Sequence, residues 1–422
     1  MGTISDISRD SVGADVTRDT EKEVRYREHS GYIQSSDPAY LRVTLSFFAV
    51  GLATFALLYF IQPILPILSK EFSVSPANSS LALSLSTGML SLGLLITGPL
   101  SDAIGRKNVI AISLIFASLL TLLSSMTTSW YGFLIIRALV GLSLSGVAAV
   151  AMTYLSEEIH PSCAALSIGL YISGNSFGGM SGRLVTGVMT DYYSWHLAVI
   201  LLGSFSLIAA IVFWVMLPSS QHFKSSSLKP KTLFINLKLH FRDQGLPLLF
   251  AEAFLLMGSF ITMFNYIGYR LLDAPYHLSQ TVVGLLSVVY LTGVYSATKA
   301  GSLLNKHGRG KVLLIAISMM LIGNLIMVFS SLWALFLGMT ILTMGFFAAH
   351  TVASGWIGAR TKRAKAQASS LYLFCYYAGS SISGTLGGVF WFYYQWNGVA
   401  IFISLLTIIA FYIGMKLNKL AA

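Results

Sequence analysis

The stretch GPLSDAIGRK, residues 98–107, sets Asp102, Arg106 and Lys107 in a glycine frame between two long apolar runs. It returns in altered form as GSLLNKHGRG, residues 301–310. The interval from 98 to 301 is 203, and at that interval Gly98, Leu100, Gly105 and Arg106 fall on Gly301, Leu303, Gly308 and Arg309. The chain therefore reads as one unit used twice.

Of the 422 residues, 55% are hydrophobic and only 10% charged, and the mean hydropathy is +0.73. Soluble domains carry roughly a quarter charged residues, so this is the composition of a polytopic membrane protein. The net charge of +11 does not indicate nucleic acid, because the basic residues sit in short connectors rather than along one solvated face. Two cysteines, Cys163 and Cys375, give no disulfide framework. Residues 1–41 mix acids and bases and lack the apolar core of a signal peptide, so they are expected to form a cytoplasmic tail.

A helix crossing about 30 Å of hydrocarbon needs roughly 20 apolar residues. Twelve such runs lie at about 43–67, 79–100, 107–127, 130–155, 163–187, 195–217, 246–271, 280–303, 311–330, 332–357, 367–391 and 395–417. Barrel strands would be about ten residues long and alternate in polarity, which excludes a barrel. Connectors after even-numbered runs carry the positive charge: Arg106 and Lys107; Lys224, Lys229, Lys231, Lys238 and Arg242; Lys306, Arg309 and Lys311; Arg360, Lys362, Arg363 and Lys365. Connectors after odd-numbered runs offer little beyond Lys70. Positive charge stays inside, so both termini are expected in the cytoplasm.

The longest connector, residues 219–245, contains TLFINLKLHFRDQG, which fits an amphipathic helix on the membrane face. It divides residues 42–218 from 246–422, six runs each. The repeat agrees with that division. Trp130 and Trp333 keep the 203 interval; GNSFGGMSG at 174–182 echoes GSSISGTLG at 379–387, and YYSW at 192–195 echoes YYQW at 393–396. The expected fold is all-α, with twelve transmembrane helices in two pseudo-symmetric six-helix bundles around a central cavity.

With these motifs assembled, the chain resembles the major facilitator superfamily over nearly all its length after the tail. GPLSDAIGRK is similar to the family's signature between the second and third helices, RALVGLSLSGVAA from Arg137 to its fourth-helix signature, and GNSFGG at 174–179 to the fifth-helix antiporter signature. QPILP at 62–66 is typical of the first helix of drug:proton antiporters, and the whole looks closest to the YnfM-like branch of efflux carriers. Two departures stand out. Asn175 occupies the place of a proline, and Tyr59 that of a carboxylate carried by many drug antiporters. The resemblance implies alternating access and proton-coupled antiport, exporting small lipophilic or cationic compounds across a bacterial inner membrane. Its partners would be that substrate, protons and the bilayer. A monomer is expected.

The chemistry of the motifs can be argued residue by residue. Gly98 lets a helix from the other half approach closely, and Gly105 permits the turn. Asp102 can face the positive N-terminus of a helix across the interface, worth up to about 2 kcal/mol when partly buried. Arg106 can return to Asp102 or reach Glu157 or Glu158. These residues, with Gly301, Asn305, Gly308 and Arg309 of the second copy, form a conformational latch on this reading; the plainer one is that the charges only set topology. Asn305 replaces the acid, and Arg360 stands 203 positions beyond Glu157, so the latch is expected to be asymmetric.

Ionisable groups inside a span are costly, roughly 2.5–3.5 kcal/mol at a helix centre. Arg137, Glu252 and His350 are thus candidates for proton coupling, with carbonyl anchoring, cytoplasmic solvation and packing as their respective alternatives. Arg183 is expected to snorkel outward. Gly174, Asn175, Gly178 and Gly179 mark the antiporter-motif helix. Tyr59, Tyr171, Asn175, Asn265, Tyr266, Tyr290, Tyr295, Tyr372 and Tyr376 are candidate cavity residues, offering aromatic walls for lipophilic cations or neutral compounds, or else ordinary helix packing.

Neither an HExxH, nor a P-loop, nor a CxxC occurs, and the Glu157 and Glu158 pair is isolated. An enzyme, a metal site and a cofactor are therefore not expected. The competing cargo is a metabolite such as a sugar, which would favour amides and tryptophans, or an organic acid, which would favour a central arginine or lysine pair.

Overall fold

The computed structural model describes residues 31–218, 220–222 and 230–421; for residues 99, 230–234, 236, 305 and 421 it describes the backbone alone. The order is α1 (Pro38–Tyr59), a 3-10 turn (Gln62–Ile64), α2 (Leu65–Glu71), α3 (Pro76–Ile104), α4 (Arg106–Ser124), α5 (Trp130–Glu158), α6 (Pro161–Tyr192) and α7 (Trp195–Met216). After the connector helix α8 (Pro230–Arg242) come α9 (Leu246–Leu272), α10 (Gln280–Leu285), a 3-10 turn (Leu286–Val289), α11 (Tyr290–His307), α12 (Arg309–Ile326), α13 (Leu332–Arg360) and α14 (Lys365–Ala421). The backbone of α14 leaves helical geometry at Tyr394 and Gln395, which makes it two arms. Among the described residues ten segments are long and apolar enough to cross a membrane, and the last is 56 residues long. Glycine- and serine-rich α6, 32 residues long, is not among the ten. Phe116, Ile208 and Trp333 lie well exposed, as lipid-facing side chains do.

Two faces follow from the connectors. The terminal face carries the Gly105 and Gly308 turns and α8; the distal face carries the ends of α2, α6 and α9. Gly105 at φ 101, ψ 146 ends α3 and starts α4, and Gly308 at φ 77, ψ 160 does the same between α11 and α12. Positive φ is cheap only for glycine, so both copies of the opening motif use one backbone solution. The repeat also reappears in packing. A side chain at Gly174 would strike the Phe48 carbonyl at 2.3 Å, and one at Gly379 the Phe254 carbonyl at 2.1 Å. Gly178 and Gly182 extend the first contact along α1, meeting Leu52 and Ala56. Small residues let helix backbones close together where lipid supplies no hydrophobic drive.

The helices before the connector pack largely among themselves, as do those after it, and the two sets meet along a seam, chiefly where α3 lies against α14 and α6 against α10, with the first 3-10 turn and α2 also touching α9.

The first helix is broken where Pro63 lacks an N–H. Leu57 and Leu58 carbonyls, whose helical donors would lie past the break, accept instead from Arg137 Nη1 and Nη2 at 3.0 Å each, while Nε reaches the Ala82 carbonyl at 3.0 Å. Within a bilayer such carbonyls must be satisfied by protein. Gly141, one turn on, lies so close to α3 that an added Cβ would sit 1.9 Å from the Ser86 carbonyl, whereas Gly169 has nothing within 4 Å.

Gly141→Val should therefore destabilise the detergent-solubilised protein by about 1–3 kcal/mol, as overpacking does, and lower its unfolding temperature. Gly169→Ala should leave that temperature unchanged or slightly raised.

Candidate functional site

The groups singled out from the sequence gather in three places. At the distal end of the seam, Gln62 Nε2 donates to Asn265 Oδ1 at 2.8 Å, and the two residues lie 203 positions apart. That is the interval of the repeat, so equivalent positions meet each other, as residues on a two-fold axis do. Tyr269 donates its hydroxyl to the Leu65 carbonyl at 3.0 Å. Asp191, at the end of α6, accepts the Gln280 and Thr281 amides at 2.9 and 2.7 Å, capping α10 from the other side of the seam. Beside it Gly187 faces Gly284, whose Cα would lie 3.0 Å from an added Cβ. Ser287 donates to the Met180 carbonyl at 2.9 Å, where the helix tightens into its 3-10 turn against α6.

Arg183 lies at the heart of this seam. Only 2% exposed, it does not snorkel as its sequence position suggests; the closely packed seam surrounds it. Nε donates to Gln62 Oε1 at 2.7 Å, Nη2 reaches the same oxygen and Nη1 the Gly179 carbonyl. Its guanidinium lies 4.9 Å from the ring centroids of Tyr59 and Tyr290 and 5.0 Å from that of Phe264. Rings from α1, α9 and α11 thus converge on one cation.

The second place lies deeper in the later helices. Tyr372 Oη and His350 Nδ1 are 3.0 Å apart, and the Tyr376 ring is 4.7 Å from the imidazole. Phe260, stacked on Phe346 at 4.0 Å, also contacts Tyr290 at 5.6 Å, which joins both places by one aromatic wall. Glu252 is fully buried, and neither of its oxygens has a hydrogen-bond partner; an added Cβ at Gly414 would come within 3.6 Å of Oε1. Tyr372 lies within electrostatic range of it.

The remaining cavity candidates are scattered. Asn175 lies against Gly51 of α1 with a buried, unpartnered Oδ1, and Tyr171 packs edge-on to Phe47. Tyr266 donates to the Gly384 carbonyl at 2.9 Å and belongs to the distal packing. Tyr295 is 59% exposed, beneath Lys299.

The third place is the terminal face, where the seam is parted. Among the described residues an added side chain at Gly98 or Gly301 would meet nothing within 4 Å, so no described helix of the other half packs against Gly98. Asp102 pairs with Arg106, and Arg106 grips Glu157 through Nε at 3.1 Å and Nη2 at 2.9 Å. Glu158 goes elsewhere: it accepts the Gln221 and His222 amides at 3.0 Å each and holds the start of the connector. In the second copy Gly308 and Arg309 keep the turn, and the side chain of Asn305 lies outside the described residues. Arg360 pairs with Asp243 of the connector.

Residues 44–273 and 253–418 match the Major Facilitator Superfamily. The chain belongs to that family. It is a membrane transporter, similar to the Escherichia coli inner membrane transport protein YnfM at 62% identity over 401 residues, covering 95% of this chain and 96% of that one. It is 41% identical over 388 residues to the Bacillus subtilis MFS-type transporter YybF, covering 92% and 96% of the two chains. Among solved structures, the nucleoside transporter NupG shares the fold at a TM-score of 0.72 and 11% identity, over 91% of this chain and 100% of that one.

Gln62, Phe264, Asp191 and Asp243 escaped the sequence reading. Two of them left a trace: Gln62 stands 203 before Asn265, and Asp243 precedes a helix with proline in its first turn, a start signal.

The transporter's distal closure should weaken in Asp191→Ala by about 0.5–2 kcal/mol, the worth of a helix cap. Spin labels at Tyr193 and Pro275 should then report a larger fraction of long distances than in the unmutated background. At the terminal face, burial alone would push the Asp243 carboxyl up, but Arg360 and the Leu246 and Gly245 amides outweigh it and hold it below the ordinary value. A depressed carboxylate stabilises above its unfolded value, near 4, and ceases to as pH falls through its folded one. The unfolding-temperature gap between wild type and Asp243→Asn should be full at pH 6 and close on acidification below 4.

Proposed function

We propose that the transporter is a secondary active carrier whose two six-helix halves, twelve crossings in all, rock about the Gln62 and Asn265 contact to expose a central site alternately to each side. The observation that carries this reading is the unequal seam. Cross-half hydrogen bonds gather at the distal end, while Gly98 and Gly301 at the terminal end have open space. One face is shut and the other parted, as alternating access requires. Lysine and arginine concentrate on the terminal side, which supports a cytoplasmic terminal face. The state described is then the inward-facing one. Rocking the other way would bring Gly98 and Asp102 against the opposite half, where Asp102 serves as the latch.

Proton coupling falls best to Glu252. A buried carboxylate with neither oxygen partnered is expensive inside a membrane and is a functional group by default. Tyr372, within electrostatic range of Glu252, is joined in turn to His350 on the aromatic wall. Arg137 spends its donors on three backbone carbonyls, which favours a structural role. The direction proposed is export by proton antiport, supported by the likeness of α6 to the antiporter helix. Small lipophilic or cationic compounds suit the aromatic wall. The reading in which the cargo is a metabolite acid is favoured by one observation, the buried guanidinium of Arg183 in the seam.

In proteoliposomes with an imposed pH gradient, Asp102→Asn should lower transport at least tenfold while insertion is unchanged. Glu252→Gln should abolish proton flux and retain substrate exchange at zero gradient. Full coupling in Glu252→Gln would remove that residue from the proton path, and unimpaired transport in Asp102→Asn would remove the latch.

A further inference from the structure

We propose that Arg183 selects the cargo, and that the cargo is an organic anion bearing a carboxylate on an apolar body. This rests on the carrier reading and deepens it.

The two buried arginines make the contrast. Arg137 has each of its three nitrogens on a different backbone carbonyl of its own half, which is how a strut is built. Arg183 instead bonds a side-chain amide and a carbonyl one turn back on its own helix. It also lies among rings drawn from both sides of the seam: Tyr59 from α1, Phe264 from α9 and Tyr290 from α11. These partners are neutral. Among the described residues no carboxylate pairs with Arg183. The one acid well inside a span, Glu252, sits on α9 twelve positions before Phe264, roughly 18 Å away along the axis at 1.5 Å per residue. A membrane-embedded cation without a counter-charge is a functional candidate by default, and the strut role that accounts for Arg137 does not account for Arg183, whose inter-helix hydrogen-bond partner is a side-chain amide.

Its place on the seam gives the use. When the halves part at the distal end, Tyr290 and Phe264 must move away from Tyr59, so the surroundings of the guanidinium differ between the two states. A ligand that pairs with it therefore binds the states unequally, and that difference is what shifts a conformational equilibrium. A planar guanidinium matches a carboxylate in fork geometry and repels a cation. An apolar body would lie against the same rings, Tyr59, Phe264 and Tyr290, and the shallow indentation between α6 and α11 lined by Ser176, Phe177, Met180, Tyr290, Leu291 and Val294 shares one of them.

The test compares carboxylates with their neutral twins on the purified full chain in nanodiscs, by calorimetry: benzoate against benzamide, cinnamate against cinnamamide, octanoate against octanamide, with tetraphenylphosphonium as the cationic probe. At least one carboxylate is expected to bind tenfold or more tightly than its amide and to be insensitive to competition by tetraphenylphosphonium. Arg183→Lys should reduce that preference and Arg183→Gln erase it. Equal binding within every pair, tighter binding of the amides, or displacement by the cation would overturn the assignment in the wild type alone, whether or not the variants fold. Transport separates this from the carrier reading. Tetraphenylphosphonium moved along a pH gradient without any carboxylate preference leaves the carrier and removes the anion site. A carboxylate bound through Arg183 but moved under no gradient leaves the anion site and removes the carrier.

Discussion

A freed carbonyl in hydrocarbon has no water to turn to, and the way this protein meets that constraint organises its centre. Arg137 takes the Leu57 and Leu58 carbonyls, which allows α1 to stop at Tyr59 and restart beyond Pro63. Gln62 opens the 3-10 turn at that break, and there its one amide group accepts from Arg183 with its oxygen and donates to Asn265 with its nitrogen. The distal closure and the buried guanidinium are thus downstream of a charge that itself touches no other charge.

The two faces use like chemistry in unlike ways. A carboxylate facing a helix start across the seam, the role foreseen for Asp102, is occupied at the opposite face by Asp191 on α10. The duplicated turn keeps its backbone in both copies, since Gly105 and Gly308 share one conformation. The charges around it do not repeat: Arg106 holds Glu157, whereas Arg360, which stands in Glu157's place, holds Asp243 of the connector. Backbone geometry has been carried over in the repeat, while electrostatics has been rewritten.

What could be read from the sequence follows the range of each interaction. Against the twelve apolar runs, ten described segments are long and apolar enough to cross a membrane. The Gly105 turn and the small-residue stripe at Gly174 and Gly178 are local or periodic, and they appear in the structure as a backbone turn and a close helix contact. Two helix breaks differ in this respect. Pro63 announces the first, but nothing in LLSVVY announces the 3-10 turn at Leu286–Val289, because its cause is Gly284 and Ser287 meeting α6 about 100 positions away. Arg183 was misjudged for the same reason: nine residues from a helix end, an arginine reaches water unless partners from three other helices enclose it. Distance along one helix carries no trace of them.

The energies of the distal closure bear on whether such a structure can switch. A cap is worth about 0.5–2 kcal/mol and a buried neutral hydrogen bond about 0.5–1.5 kcal/mol net. Asp191, Gln62 with Asn265, and Tyr269 therefore supply only a few kcal/mol together. Inverting a two-state population from 1:99 to 99:1 takes about 5.5 kcal/mol of differential binding. A closure of this size is strong enough to hold one face shut yet lies within reach of a ligand that binds the two states unequally. A seam sealed by many buried ion pairs would lie beyond that reach, and among the described residues none of the ion pairs crosses it. The scarcity of charge in the interior is in this sense a condition for movement as well as for solubility in lipid.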